Sequence, residues 1–464
     1  TDNIPIPGVN IIVKNTSKGT TTDFDGNYQI QVQEGDVLQF SYIGFVTQVV
    51  IYSNQKTLNV SLVEDLAKLD EVVVIGYGTQ KKSHLTGAIS KVVNESLDQI
   101  AVSRVDDALI GQVSGVNIQS TNAEAGGAPT ITIRGVGSIT ADSGPALVVD
   151  GIVVSSEFLG NIDMNDVASF EVLKDAASAA IYGSEGSNGV ILITTKSGKA
   201  GKTKFSYQTY TGRKEAHGSD DYTKNTRKWA QLEQAATGTL SGETLYALAI
   251  VDATGIDRDW QEVFFDGGNI TSHSFAARGG NENTKFSASL RYLGDEGVII
   301  TDDYKLYTAN LKMDSNLGKK SKFGLSITPS YTKQRKIPTS IHNPTRQSPW
   351  LPIYHTAETI ALFTNGSKSP GDYFMENDLL NLDFDNDGNN ERPRTSGDSN
   401  PYAQYVEREH YDYNTKLYGS TYFSFEIFDG LTAKTSLGVT LEQRKQTRWD
   451  GTKHHAAGAS RAAY

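Results

Sequence analysis

Long segments in the second half of this chain alternate apolar and polar side chains with a strict period of two. In 286–292, Phe286, Ala288, Leu290 and Tyr292 alternate with Ser287, Ser289 and Arg291. In 306–314, Tyr307, Ala309, Leu311 and Met313 oppose Thr308, Asn310, Lys312 and Asp314. In 323–332, Phe323, Leu325, Ile327 and Tyr331 oppose Ser326, Thr328, Ser330 and Thr332. Segments 417–427 and 431–442 repeat the pattern, with Phe423, Phe425, Ile427, Leu437, Val439 and Leu441 on the apolar side and Lys434 and Glu442 opposite. Strands of about ten residues with apolar-out, polar-in alternation form transmembrane barrels. A large soluble β-sandwich would share the period, so the connections decide. They alternate short (near Gly280–Asn283, near Asn316–Lys320, at Asp429-Gly430) and long (about 213–269, 294–303 and 335–410). Short periplasmic turns and long extracellular loops are the barrel arrangement.

Counting from a first strand near 203–212, seven such strands are expected, the last near 431–443. Seven is odd and too few to enclose a folded domain, whereas plugged barrels have about 22 strands. An open sheet edge in lipid is prohibitive, so the chain reads as the N-terminal part of a longer polypeptide. Thr1 falls inside a strand-forming module, as in a mature or trimmed product.

Composition narrows the rest. The net charge of -11 includes no basic run of the kind that binds nucleic acid. The absence of cysteine excludes disulfides, thiol catalysis and Cys-type metal sites. Gly 44 and Tyr 22 against Met 3 and Pro 12 suit a mainly β chain rich in turns. No apolar run reaches the length of a membrane-crossing helix, which says nothing against a barrel.

Three regions precede or begin the barrel. Residues 4–63 read as a small β module, with strands at 9–13, 28–32, 38–45 and 58–62 and a turn at Asp23-Phe24-Asp25-Gly26. That acid pair is better explained by a turn than by a bound cation. Residues 83–200 are mixed α/β, with a short helix starting at Arg104–Leu109, strands at 130–135 and 146–151 that end in Gly turns, a strand and the small-residue helix Asp175–Ala180 within 167–182, and a buried strand at 190–195. None of their glycine runs has a phosphate-binding spacing. Between these regions lies Asp70-Glu71-Val72-Val73-Val74-Ile75-Gly76-Tyr77-Gly78. Four β-branched residues in a row favour an extended strand. Such a strand is either a buried strand of a neighbouring domain or an open template for a strand from another protein.

Several motifs stand in one order: "GTTTDFDGNYQI…LQFSYIGF", "DEVVVIGYGTQKKSHLTGAIS", "IRGVGS", "ALVVDGI" and "DVASFEVLKDAASAAIYGSEGSNGVILITTKSG". Together they resemble the SusC/RagA family of TonB-dependent outer-membrane transporters of Bacteroidetes, over roughly residues 4–200. The resemblance implies a transthyretin/Ig-like, carboxypeptidase-regulatory-like β-sandwich (1–63), a TonB-box linker (64–82), a mixed α/β plug (83–200) and the first part of the barrel (201–464). It implies that Asp70–Gly78 is the TonB box. On cargo binding this segment would become exposed in the periplasm and add as a strand to TonB, driven by the ExbB/ExbD energy complex. The implied activity is import of oligosaccharides or peptides with a SusD-like surface lipoprotein, in a multi-pass outer-membrane barrel with no enzyme activity and no required cofactor. Two alternatives remain: a siderophore or vitamin receptor of the same architecture, and a non-transporting binding or secretion-associated barrel.

Candidate sites outside the box are few. Asp383, Asp385 and Asp387 alternate ahead of a turn glycine, with Glu391 close by. This spacing wraps oxygen ligands around a hard cation such as calcium, although Arg394 replaces the acid of a full EF-hand loop. A solvated Asp/Asn turn is the alternative. His454-His455 is a poor chelate on a strand, since neighbouring residues face opposite ways. Arg134 is expected to be buried and paired with plug carboxylates. Trp350, Tyr354, Phe363 and Tyr373 either stack on sugars or pack a rim. Residues that contact the cargo are not legible.

Overall fold

A computed structural model describes residues 5–14, 16, 18–42, 45, 47–62, 72–75, 78–81, 89–93, 104–119, 124–137, 143–175, 179–216, 224–338, 347–363, 368–375, 378–380, 382–383, 385–390 and 400–451. The chain forms two compact units, Thr1–Ala88 and Ile89–Tyr464.

In the first unit, β1 (Asn10–Val13), β2 (Gly19–Thr21), β3 (Val37–Ser41) and β4 (Gln48–Ile51) make an antiparallel sheet in the order β2-β1-β3-β4. Alternation sends Ile11, Val13, Leu38 and Phe40 into one core with Val9 and Leu62. Residues 28–32 and 58–62, expected as strands, lay Tyr28, Ile30, Val32, Leu58 and Val60 on this core without joining the ladder. The Tyr28 hydroxyl donates instead to the Leu58 carbonyl at 2.8 Å. Asp23 accepts from the amides of Asp25 and Asn27 at 3.0 and 2.8 Å, and Gly26 takes φ +74°, so the acid pair closes a turn. Further on, β5 (Val72–Ile75) pairs antiparallel with β6 (Gly78–Lys81).

The second unit begins with β7 (Ile89–Val93), β8 (Val116–Gln119), β9 (Thr130–Ile133), β10 (Ala146–Val149), β11 (Ile152–Val154), β12 (Val167–Leu173) and β13 (Val190–Thr195). Five of these form a mixed sheet, β11-β10-β13-β12-β7, in which only β10 and β13 run parallel among the described pairs. Leu147, Ile191 and Ile193 enter one core with Phe158, Phe170 and Val172, while Val148, Val190 and Leu192 enter a second. Burial on both faces is why β10 and β13 read as unbroken apolar runs. The helix expected at Arg104–Leu109 shrinks to a single 3-10 turn at Asp107–Leu109. Its first residue is committed elsewhere, because the buried Arg104 guanidinium grips Asp106 at 2.9–3.2 Å. Of the helix expected at 175–180, residues 176–178 lie outside the described residues.

The wall follows as β14 (Gly201–Lys214), β15 (Gly268–Gly280), β16 (Thr284–Glu296), β17 (Asp303–Asn316), β18 (Ser321–Arg335), β19 (Arg408–Phe428) and β20 (Leu431–Asp450). Each pairs antiparallel with the next, giving a seven-stranded sheet among the described residues. On β16 to β19 the faces expected from the sequence are the faces observed, whereas on β20 both faces are exposed, Lys434 and Glu442 included. Leu290 is 61% exposed, while Ser287, Ser289 and Arg291 beside it are buried. On the outward face Tyr292, Tyr307 and Tyr331 form a row across three strands, with centroids 5.1 and 6.3 Å apart. Phe323, paired in register with Phe423, marks the other end of the apolar band. The eight-residue step from Phe323 to Tyr331 is roughly 27 Å along a strand, or about 20 Å of height at the tilt of a barrel strand. That height covers most of the ~25 Å apolar band of an outer-membrane-type barrel. No helix among the described residues is long and apolar enough to cross a membrane.

The long connections fold. Residues 215–267 carry α1 (Thr226–Thr237), α2 (Gly242–Thr254) and α3 (Trp260–Phe264), and residues 336–407 carry α4 (Ala357–Phe363) and α5 (Pro401–Val406). Asn225 and Ser241 cap α1 and α2 by accepting backbone amides, and Gly238 and Gly255 end them in the left-handed conformation. Tyr246, Ile250, Phe264, Trp350, Phe374 and Tyr405 share one buried core. The loops therefore make a cored cap at one end of the wall.

Candidate functional site

The buried face of the wall is the seat of the plug. Two acids on the plug belong to the 3-10 turn that leads into β12: Asp163 caps it and Asp166 is its last residue. Arg278 of β15 donates to Asp166 at 2.7 Å and to the Asn165 carbonyl at 2.9 Å. Ser289 of β16 donates to the other Asp166 oxygen, and Ser274 of β15 to Asp163. Arg291 reaches the Ile162 carbonyl at 2.9 Å. A second cluster sits at the β10–β11 turn, where Lys312 of β17 donates to Asp150 at 3.0 Å and to the Thr195 hydroxyl at 2.9 Å. One apolar contact stands between them: Phe158 lies against Tyr418 of β19, centroids 3.7 Å apart.

This is a seat of polar bonds lined by hydroxyls, with little hydrocarbon. Burial pushes the Asp166 carboxyl up, and neighbouring Asp163 adds to it; Ser289 and Arg278 pull it back down. A buried carboxylate of this kind is held by its partners and becomes costly when they leave. The sequence marked part of the wall side of the seat, because Arg291 and Lys312 are cations on the polar positions of alternating segments; Arg278 lies outside those segments. A cation there requires a counter-charge. Asp150, Asp163 and Asp166 carried no periodic signal of their own.

The nine-residue segment 70–78, expected as the TonB box, is partly in view. Val72–Ile75 form β5 and Gly78 opens β6, whereas Asp70, Glu71, Gly76 and Tyr77 lie outside the described residues. The strand expected from the β-branched run exists, but it is not alone. Val72 pairs with Lys81, Val73 with Gln80, Val74 with Thr79 and Ile75 with Gly78. One edge of β5 is thus occupied by its own chain, and the other has no strand partner among the described residues.

Other expected sites divide. Asp383, Asp385 and Asp387 converge, each offering an oxygen within 4.8 Å of the others, and all three are exposed. The Asp387 and Gly388 amides donate to Asp383 at 3.2 and 3.1 Å. The hydrogen bond from the Asn389 side chain is the largest influence holding Asp387 low. Glu391 and the His454-His455 pair lie outside the described residues. Arg134 corrects the expectation of burial: it is exposed, with φ +59°, at the turn after β9. The buried arginine of the plug is Arg104. Trp350 and Tyr373 belong to the cap core, and Tyr354 stacks on Tyr373 from the surface at 5.1 Å. The Phe363 side chain is outside the described residues.

A mixed α/β plug bonded into the polar face of a lipid-type β wall defines a plugged-barrel receptor. Residues 81–190 match the TonB-dependent receptor plug domain, and residues 1–74 the CarboxypepD_reg-like domain. TonB-dependent receptor P26 of Formosa agariphila is 37% identical over 384 residues, covering 81% of this chain and 38% of the relative. TonB-dependent receptor SusC of Bacteroides thetaiotaomicron is 35% identical over 321 residues, covering 67% of this chain and 30% of the relative. The RagAB peptide importer in its open-open state superposes with a TM-score of 0.65 at 22% identity, over 84% of this chain and 44% of that one. The chain belongs to the SusC-like TonB-dependent receptors, and spans about two fifths or less of the length of these relatives.

Proposed function

We propose that this chain is the plug-bearing part of an energised importer that moves oligosaccharides or peptides across the outer membrane. The observation that carries the reading is the polar seat, in which two salt-bridged clusters, Asp166–Arg278 and Asp150–Lys312, hold the plug in the wall. Bonds of this type exchange with water under load, so a plug held by them can be displaced without unfolding the wall. Val72–Ile75 would supply the strand that TonB grips, with backbone hydrogen bonds giving the affinity. The short-turn end of the wall would then face the periplasm, together with the 70–78 segment. The cored cap would face outward and meet a SusD-like lipoprotein. The relative named as a peptide importer supports peptides as cargo; the SusC relatives support the shared carrier. No catalytic role is assigned.

The test is uptake by cells carrying the full-length protein, with affinity capture of a SusD-like lipoprotein from the same membrane. TonB-dependent uptake of a glycan or peptide with that lipoprotein bound is the expected result. Uptake of an iron chelate or vitamin with no lipoprotein captured would favour the siderophore-type reading. Binding without any uptake would favour the non-transporting one.

We also propose that Asp383, Asp385 and Asp387 hold a calcium ion on the extracellular side. The convergence of three carboxylates supports this, as do their hard oxygen donors.

A further inference from the structure

A second joint between plug and wall lies at the cap end, around the plug turn Glu124–Gly126, which precedes β9. Ala125 is 1% exposed and sits in a socket of Leu293, Tyr304 and Leu306. Both of its backbone groups are taken by wall side chains. Its amide donates to Asp302 at 2.7 Å, and its carbonyl accepts from Gln334 at 2.9 Å. Lys336 pairs with Glu124 at 3.5 Å, and the Gly126 amide reaches Asp295 at 3.4 Å. Gly126 is at φ +70°, and a Cβ there would lie 2.5 Å from the Tyr304 ring.

Asp302 belongs to the six-residue connection 297–302 between β16 and β17. The same connection enters the cap: Ile299 is buried in the cap core, and the Ile300 amide donates to the Phe264 carbonyl of α3 at 3.0 Å. Asp302 itself folds the connection, its amide donating to Ile299 and its carbonyl accepting from Gly297. One short loop thus holds the cap core at one end and the plug at the other. Its acid is 4% exposed, and the Oδ1 atom has no hydrogen-bond partner among the described residues. A buried acceptor left half-satisfied makes a joint that holds but opens at low cost.

We propose that the 297–302 connection is a latch: through Asp302 it keeps the Glu124–Gly126 turn seated, so that rearrangement of the cap core is passed to the plug as release of that turn. The proposal deepens the importer reading and rests on it for its purpose, although not for its test. Asp302 acts as a positioning residue.

The charge surroundings add a pH dependence. Burial pushes the Asp302 carboxyl up to about 6; Glu124 and Asp295 add to this, and the Ala125 amide and Lys214 oppose it. Tyr405 of α5 faces it, and Lys336 is held by Glu124. A carboxyl raised in the folded state stabilises the joint fully below its ordinary value near 4, and that contribution is lost as pH rises through about 6. The latch is therefore tighter at pH 5 than at pH 8.

Hydrogen exchange of the Glu124–Gly126 amides in the full-length protein, corrected for intrinsic pH dependence, reads the latch without any cargo. In wild type, exchange should be faster at pH 8 than at pH 5. Asp302→Asn keeps an acceptor for Ala125 and removes the charge, so exchange should slow and lose its pH dependence. Gly126→Ala should unseat the turn from the plug side, and Ile299→Ala from the cap side, each raising exchange tenfold or more. Unchanged exchange in Ile299→Ala, or an unaltered pH dependence in Asp302→Asn, would overturn the proposal. Because no transport is measured, its failure is distinct from failure of the importer reading.

Discussion

Arg278 of the wall and Asp166 of the plug form a salt bridge at 2.7 Å in which the acid is nearly sealed from water and the arginine keeps about a fifth of its side chain exposed (22%). The pair ties the turn before β12 to the polar face near the short-turn end of the wall.

Replacing Arg278 by Ala strands Asp166 beside Asp163. Breaking a buried pair costs about 3–5 kcal/mol, and the partial exposure of Arg278 places this case at about 3 or below. The double variant Arg278→Ala/Asp166→Asn should recover much of the loss. Thermal unfolding of the full-length protein in detergent measures both, and equal losses in the single and double variants would refute the pairing.

The hairpin register separates two functions of the box. Opposed pairs on an antiparallel ladder alternate between bonded and non-bonded. With Ile75–Gly78 as the bonded pair flanking a two-residue connection, Val73–Gln80 is the next bonded pair. The amides of Val72 and Val74 then point to the free edge. Proline lacks the ladder donor, so Val74→Pro should abolish uptake while cargo binding persists. Val73→Pro, which attacks the hairpin itself, should also abolish uptake if the hairpin presents the strand. Normal uptake by Val74→Pro would refute docking at the free edge.

Leu290 lies on the outward face between Phe275 and Ala309. In a bilayer, arginine at this depth should cost about 2–4 kcal/mol. On a water-exposed surface the same change stays within about 0.5 kcal/mol. Leu290→Arg, measured by unfolding in lipid, discriminates between the two environments.

Calorimetry of the full-length protein should show calcium binding that Asp385→Ala removes. Identical titrations of wild type and variant, with or without heat, would exclude the Asp383–Asp387 site. Affinity should fall at acid pH, because a carboxylate binds a metal ion only when deprotonated.

Gly324 leaves room for the Tyr422 ring, where an added Cβ would collide, and Tyr422 donates to Asp314 at 2.9 Å. Gly324→Ala should destabilise the wall by about 1–3 kcal/mol, as overpacking does. Unfolding in detergent provides the measurement.

Which face of each wall strand points inward was legible from Ser287, Ser289 and Arg291, because a one-residue slip would have put them in lipid. Strand length was less legible. The apolar alternation marked 417–427, but β19 runs from Arg408 to Phe428, since its upper part is polar on both sides. The cap helices were passed over inside segments read as loops, although Asn225, Gly238, Ser241 and Gly255 spelled their ends. Partners such as Asp150 for Lys312, 162 residues apart, were invisible because no local pattern encodes a long-range pair. Arg134 misled because an arginine between a strand and glycines suits an exposed left-handed turn as well as a buried pair.

The hydroxyl-lined face that seats the plug has a consequence for what happens behind it. Ser274, Ser289, Thr308, Thr328 and Ser330 make the buried face of the wall wettable. Under the import reading proposed above, a withdrawing plug would leave water to follow it along these groups, with Ser274 and Ser289 exchanging their carboxylate partners for water. On that reading the passage would fill as it opens, with no dry gap to nucleate. A cargo rich in hydroxyls or amides would therefore meet a hydrated wall it can slide along.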